Sequence, residues 1–184
     1  MIKLAIAGLL LLATSAAGQQ HKRDPLNDLE IDKIRDAAQT PDVRLKLYVE
    51  FARARLDKLQ QVHSDPKATN RDDQMRDALQ DFLDIYDELD DNVDTFSDRG
   101  EDIRKPLKPV IEADTEFGSK LRAFKSSLAS SREEAAKYDF LVGAALDAVD
   151  GGAKDHRDLL AEQEEKFKNA KKKPEHKEER QHGE

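Results

Sequence analysis

The chain has no cysteine and no tryptophan, and only eight glycines, six prolines and 5% aromatic residues among its 184 positions. Without cysteine there is no disulfide framework, no thiolate metal site, no covalently attached haem and no cysteine nucleophile. Few glycines and prolines beside 38% charged residues fit helices better than sheets. Scarce aromatics leave only a lean core. Basic residues are outnumbered, 31 against 39 acidic ones, for a net charge of -8. That balance argues against a nucleic-acid binder, whose phosphate contacts need clustered Lys and Arg. Gly-rich phosphate loops, Gly-x-Ser-x-Gly elbows and zinc-protease motifs are also missing.

The first residues are a separate object. Lys3 precedes an apolar run from Leu4 to Ala13, followed by the small residues Thr14, Ser15, Ala16, Ala17 and Gly18. This is the pattern of a secretory leader, with cleavage expected after Ala17 or Gly18. The run is too short for a membrane span, which needs about 20 apolar residues. No second long apolar run follows, so the mature chain is expected to lie in the periplasm or outside the cell, with no span. The organisation read from the sequence is a leader over residues 1–17, a flexible segment over 18–25, a helical domain over 26–170 and a charged, disordered tail over 171–184. The tail has no apolar residue to bury.

Between the prolines, apolar residues recur at helical spacing. A short helix is expected from about Asn27 to Ala38, with Asn27 and Glu30 as its capping pair. Thr40 and Pro41 open a second helix ending near His63, with Leu45, Val49, Ala52, Leu56 and Leu59 inward. Val43, Leu47, Phe51 and Ala54 broaden its stripe. In the third, Met75, Leu79, Phe82, Tyr86, Leu89, Val93 and Phe96 form a heptad seam of the coiled-coil kind. Asn70 should cap it, and Gly100 should end it. A fourth helix should start at Pro106, placing Pro109 fourth, and carry Leu107, Val110, Phe117, Leu121, Phe124 and Leu128. Ser131 and Glu134 form a capping box for a fifth helix. Its phase continues through Gly151-Gly152 to Leu160 and Phe167, which predicts one long helix reaching about Ala170. The fold class is therefore all-α: an up-and-down bundle of four long helices plus a short N-terminal one, with disordered ends.

Three groups of residues invite a chemical reading. Asp90, Asn92, Asp94, Asp98 and Glu101 fall at positions 1, 3, 5, 9 and 12 of a calcium-loop frame. The glycine expected at its sixth position is Thr95, and the heptad seam runs straight through. Asp114 puts a carboxylate where the fourth helix expects a hydrophobe, either as a buried acid or as an edge residue paired with a base. Of the histidines His21, His63, His156, His176 and His182, only His182 makes a Glu-x-x-His pattern, with Glu179. Ser126, Ser127, Ser130 and Ser131 read as a helix end and cap. Lys166 to Lys173 reads as a solvated stretch.

Charge is concentrated. Residues 71–102 hold thirteen acidic and three basic side chains, with Asp77, Asp81, Asp84, Glu88 and Asp91 on the face opposite the seam. These features point to an exported protein without enzymatic activity or cofactor, acting by contact with another protein. Its partner could be basic, and a second copy of the chain is also open. The alternative is a metal-responsive protein using the segment from Asp90 to Glu101 or the His-bearing tail. No catalytic, cofactor or metal residue is assigned from the sequence.

Overall fold

Where the helices begin and end follows from a few residues. In the computed structural model, which describes residues 23–171, five helices appear: α1 (Asp28–Asp36), α2 (Pro41–Ser64), α3 (Arg71–Asp98), α4 (Arg104–Leu128) and α5 (Arg132–Lys171). The expected leader, its cleavage point and the tail from residue 172 lie outside the described residues. No strand occurs among the described residues, and none of the helices is long and apolar enough to cross a membrane. The all-α bundle is thus the fold.

Capping follows the sequence in places. Asn27 and Glu30 form a complete box: the Asn27 side chain accepts from the Glu30 N–H at 3.0 Å, and Glu30 accepts from the Asn27 N–H at 2.9 Å. Pro41 takes the first position of α2, where its missing N–H costs nothing. Thr40 and Asn70 hold the cap positions of α2 and α3 but neither makes a side-chain capping bond. Asn70 instead adopts a left-handed turn, φ 49°, which Asn tolerates better than most residues. Gly100, φ 76°, ends α3 in the conformation that favours glycine.

The start of α4 differs from the expectation. Ile103 is fully buried and its carbonyl accepts from the Leu107 N–H at 2.9 Å, so the helix begins at Arg104. Pro106 is then third and Pro109 sixth, inside the helix. Pro109 has no N–H to offer the Lys105 carbonyl, which loses its ordinary helical donor. The surface next to it is hollow: a groove of about 460 Å³ between α2 and α4 is lined by Val43, Leu47, Pro106 and Pro109. Val43 is accordingly 47% exposed and not part of the core.

The four long helices pack as two antiparallel hairpins, α2–α3 and α4–α5, set side by side in the same sense. The α2–α4 contacts keep a nearly constant offset: Lys105 with Asp42, Arg53 with Glu116 and Lys120 with Asp57 are each 63 residues apart. The α3–α5 contacts do the same, from Lys137 with Asp72 to His156 with Asp90. Around the bundle the order is α2, α3, α5, α4, and the short connection from α3 to α4 runs across a diagonal. Short connections ordinarily join neighbours. Here the centre is filled by rings from the two diagonal helices: Phe82 and Tyr86 meet Phe117 with centroids 5.4 and 6.4 Å apart. The far end of α5 braces the connection. Buried Gln163 accepts from the Ile103 N–H at 3.1 Å and donates to the Glu101 carbonyl at 3.2 Å.

Helix α5 is continuous over its 40 residues. Each glycine inside it costs about 1 kcal/mol relative to Ala, so tertiary contacts carry it through Gly151-Gly152.

Candidate functional site

The most unusual chemistry in the bundle is buried. On α3, Tyr86 and Asp90 stand one turn apart; α4 supplies Asp114; α5 supplies His156. The Tyr86 hydroxyl donates to Asp114 Oδ1 at 2.8 Å, and His156 Nδ1 donates to Asp114 Oδ2 at 2.9 Å. On its other side His156 Nε2 lies 3.1 Å from Asp90 Oδ1. That second contact is an ion pair without hydrogen-bond alignment, since Asp90 Oδ1 is buried and makes no hydrogen bond. The odd carboxylate on the α4 seam is therefore explained: Asp114 is 1% exposed and its partners are a histidine and a tyrosine, not a surface Lys or Arg.

The two flanking acids favour a charged ring. Both ring nitrogens of His156 face carboxylate oxygens, and a neutral imidazole would turn a lone pair on one of them. The imidazolium form is the one that places no lone pair against either acid: Nδ1–H donates to Asp114, and Nε2–H faces Asp90 as an ion pair. Burial opposes the charge, but Asp114 and Asp90 together outweigh it and push the His156 pKa up to about 9. Burial raises the Asp90 pKa, with His156 opposing. The Tyr86 hydroxyl is also shifted up, first by burial and then by Asp114. An imidazolium sealed between two acids cannot serve as a general base. The groove beside Pro109 lies between α2 and α4, away from this cluster.

A second histidine sits at the opposite end of the bundle. His63 Nε2 is 3.0 Å from Ser127 Oγ, a spacing that resembles a nucleophile with its base. The other ring nitrogen rules out that role. Arg71 Nη2 lies 2.9 Å from His63 Nδ1, and a guanidinium can only donate. Nδ1 must accept, so Nε2 carries the proton and donates to Ser127. Ser127 in turn donates to the Phe124 carbonyl at 2.6 Å. Arg71 is itself held by Glu134 at 2.7 Å. The array ties four helix ends together and leaves the serine unactivated.

The twelve-residue calcium frame meets a different outcome. Helix α3 runs unbroken through Asp98, with Val93 and Phe96 buried. Asp90, Asn92, Asp94 and Asp98 are therefore helical and do not form a loop, and only Glu101 lies beyond the helix. The physical reason is the seam: burying Val93 and Phe96 stabilises by roughly 1.5–3 kcal/mol each, and a loop would forfeit it. Asn92 accepts from Arg44 of α2. No group of three or more acidic or histidine side chains among the described residues is placed to hold a metal ion. His21, His176, His182 and Glu179 lie outside the described residues.

The acidic residues of α3 lie opposite its buried seam, and they hold a cation that no local pattern marks. Arg23 reaches it from the segment before α1, 2.6 Å from Asp81 and 3.7 Å from Asp77. The same segment is fixed further along, where Arg55 Nη2 donates to the Pro25 carbonyl at 2.6 Å and both Arg55 amino groups bond Glu30. Burial raises the Asp81 pKa, opposed by Arg23. Arg23 and Gln163 carry no period or motif that marks them in the sequence. Asp114 does, as a break in the seam.

Fold and site together define an all-α bundle with a charged cluster in its core and an acid-rich helix on its surface. No family model, curated protein or solved structure matches this chain.

Proposed function

We propose that this is an exported protein without enzymatic activity that works by contact, presenting the acidic face of α3 to a basic segment of another protein in the cell envelope or outside the cell. The observation that carries the reading is Arg23 seated on Asp81 and Asp77. A guanidinium from a non-helical segment already finds this face, which is the chemistry a basic partner would repeat. The absence of an activated nucleophile at Ser127 and of a free base at His156 supports the non-enzymatic part. Export rests on the leader pattern of residues 1–18 alone.

Like charges one turn apart on a helix oppose folding by a few tenths of a kcal/mol per pair. Mixed charges would solubilise the face without that cost, so a partner that neutralises it is favoured. Charge reversal tests the proposal while leaving Arg23 and Asp81 in place. The triple variant Asp84→Lys, Glu88→Lys, Asp91→Lys is expected to keep its helical circular dichroism and to lose binding of an Arg-rich 12-residue peptide at 0.15 M salt, where charges more than about 8 Å apart are screened. Equal binding by wild type and variant would overturn the reading.

A further inference from the structure

We infer that residues 153–168 of α5 form an arm that hinges at Gly151-Gly152 and is held against α3 and α4 by the charge on His156 together with the side chain of Gln163.

The two halves of α5 adhere by different means. Before the glycines, Tyr138, Val142, Ala145 and Val149 are buried apolar anchors. Beyond them the buried apolar side chain is Ala153, while Leu159 and Leu160 are only partly covered. The two fully inserted side chains of the arm are polar, His156 at 3% and Gln163 at 2% exposure. Phe167 lies half-covered at the rim, under the Arg104 guanidinium at 4.9 Å. Apolar contact weakens gradually as parts separate. The Gln163 hydrogen bonds depend on geometry, and the His156 contacts on geometry and proton count.

The hinge lies at the boundary between the two halves. Gly151 faces open space, and Gly152 lies against the Tyr86 ring. Adjacent glycines give the helix its weakest backbone at this point. From α3, Asp90 faces His156, with Asp94 beyond Asp90; from α4, Asp114 faces it and also accepts from the Tyr86 hydroxyl; α2 makes no extensive contact with α5. Along α5, Asp155 and Arg157 are exposed. All the groups that contact the imidazolium are therefore acids or the Tyr86 phenol one bond away. When His156 loses its proton, a lone pair faces a carboxylate across about 3 Å and the arm loses its central attachment. Release also frees the Ile103 N–H and the Glu101 carbonyl that Gln163 holds, so the α3–α4 connection loosens with the arm.

Hydrogen exchange on the full chain, read as protection factors between pH 6 and 10, tests this. Residues 138–149 should stay protected across the range. Residues 153–168 should lose at least tenfold protection as pH rises through about 9. Asp90→Asn removes one carboxylate and should move that fall to lower pH by roughly one unit. Gly151→Ala should raise arm protection several-fold at pH 7 and leave the midpoint where it was. The proposal is overturned if residues 138–149 and 153–168 exchange together at every pH, or if Asp90→Asn leaves the profile unmoved.

Discussion

Gly152 of α5 lies directly against the hydroxyl of Tyr86 on α3: a Cβ at residue 152 would overlap the phenol oxygen and crowd two ring carbons. The glycine that weakens α5 locally is thus what lets Tyr86 reach Asp114. Gly151, its neighbour, has nothing within 4 Å of a built Cβ.

The two glycines should therefore respond with opposite signs. Gly151→Ala gains helix propensity and should stabilise the protein by about 0.5–1 kcal/mol. Gly152→Ala gains the same propensity but forces Tyr86 aside, for a net loss of about 1–3 kcal/mol. Urea unfolding of both variants checks this, and a loss from both substitutions would contradict it.

Global stability should fall on the alkaline side. The His156 pKa rises from 6.5 to about 9 on folding. The stability it contributes is fully present below 6.5 and disappears as pH rises through about 9. The shift corresponds to roughly 3 kcal/mol as an order of magnitude. Asp90, whose pKa is also raised on folding, acts in the same direction at lower pH. Unfolding free energies measured from pH 6 to 10 should decline in the wild type and stay nearly flat in His156→Gln over the upper half of that range.

Breaking the cluster should cost more than replacing it. Asp114→Leu or His156→Leu alone leaves buried charge without its partner and should destabilise by about 3–5 kcal/mol. The triple variant Tyr86→Phe, Asp114→Leu, His156→Leu removes the three sealed members, leaves Asp90, whose side chain is 37% exposed, to be hydrated at the edge, and should recover most of that loss. Chemical denaturation of the four proteins decides it. A triple variant as unstable as the sum of its parts would mean the cluster contributes net stability.

Acid should loosen α1. Glu30 is buried beside Arg55; burial pushes its pKa up, but Arg55 and the Asn27 N–H outweigh that, and the folded pKa is lowered from 4.5. Its contribution is therefore present above pH 4.5 and lost as pH falls through the lower folded value. Glu30→Ala removes the capping box, worth about 1 kcal/mol, and strands a half-buried guanidinium. A total loss of roughly 2–4 kcal/mol is expected at pH 7. Limited proteolysis should cut first near α1 in the variant.

Much of the architecture was legible in the chain. The α3 seam from Met75 to Phe96 is buried at every position, and the phase kept by Leu146, Val149, Ala153 and Leu160 does mark one continuous α5. Where the structure departs from the local pattern, a tertiary contact intervenes. Burial of Ile103 moved the start of α4 forward to Arg104, whereas the seam through Val93 and Phe96 already marked the calcium frame as helix. Leu29 on α1 is 73% exposed, and that helix is anchored by Ile34 and the Glu30–Arg55 pair.

Helix formation and the choice of an inward face depend on residues three and four apart, so the sequence alone determines them. It also marks Asp114 as an anomaly, because a carboxylate interrupts a local period. What matches that charge lies 42 positions away on another helix. Which helices become neighbours depends on how whole faces fit, and no local period encodes it. Only the tertiary structure, by setting the two hairpins side by side across the α3–α4 diagonal, brought His156 between Asp114 and Asp90 and gave the buried carboxylate its counter-charge.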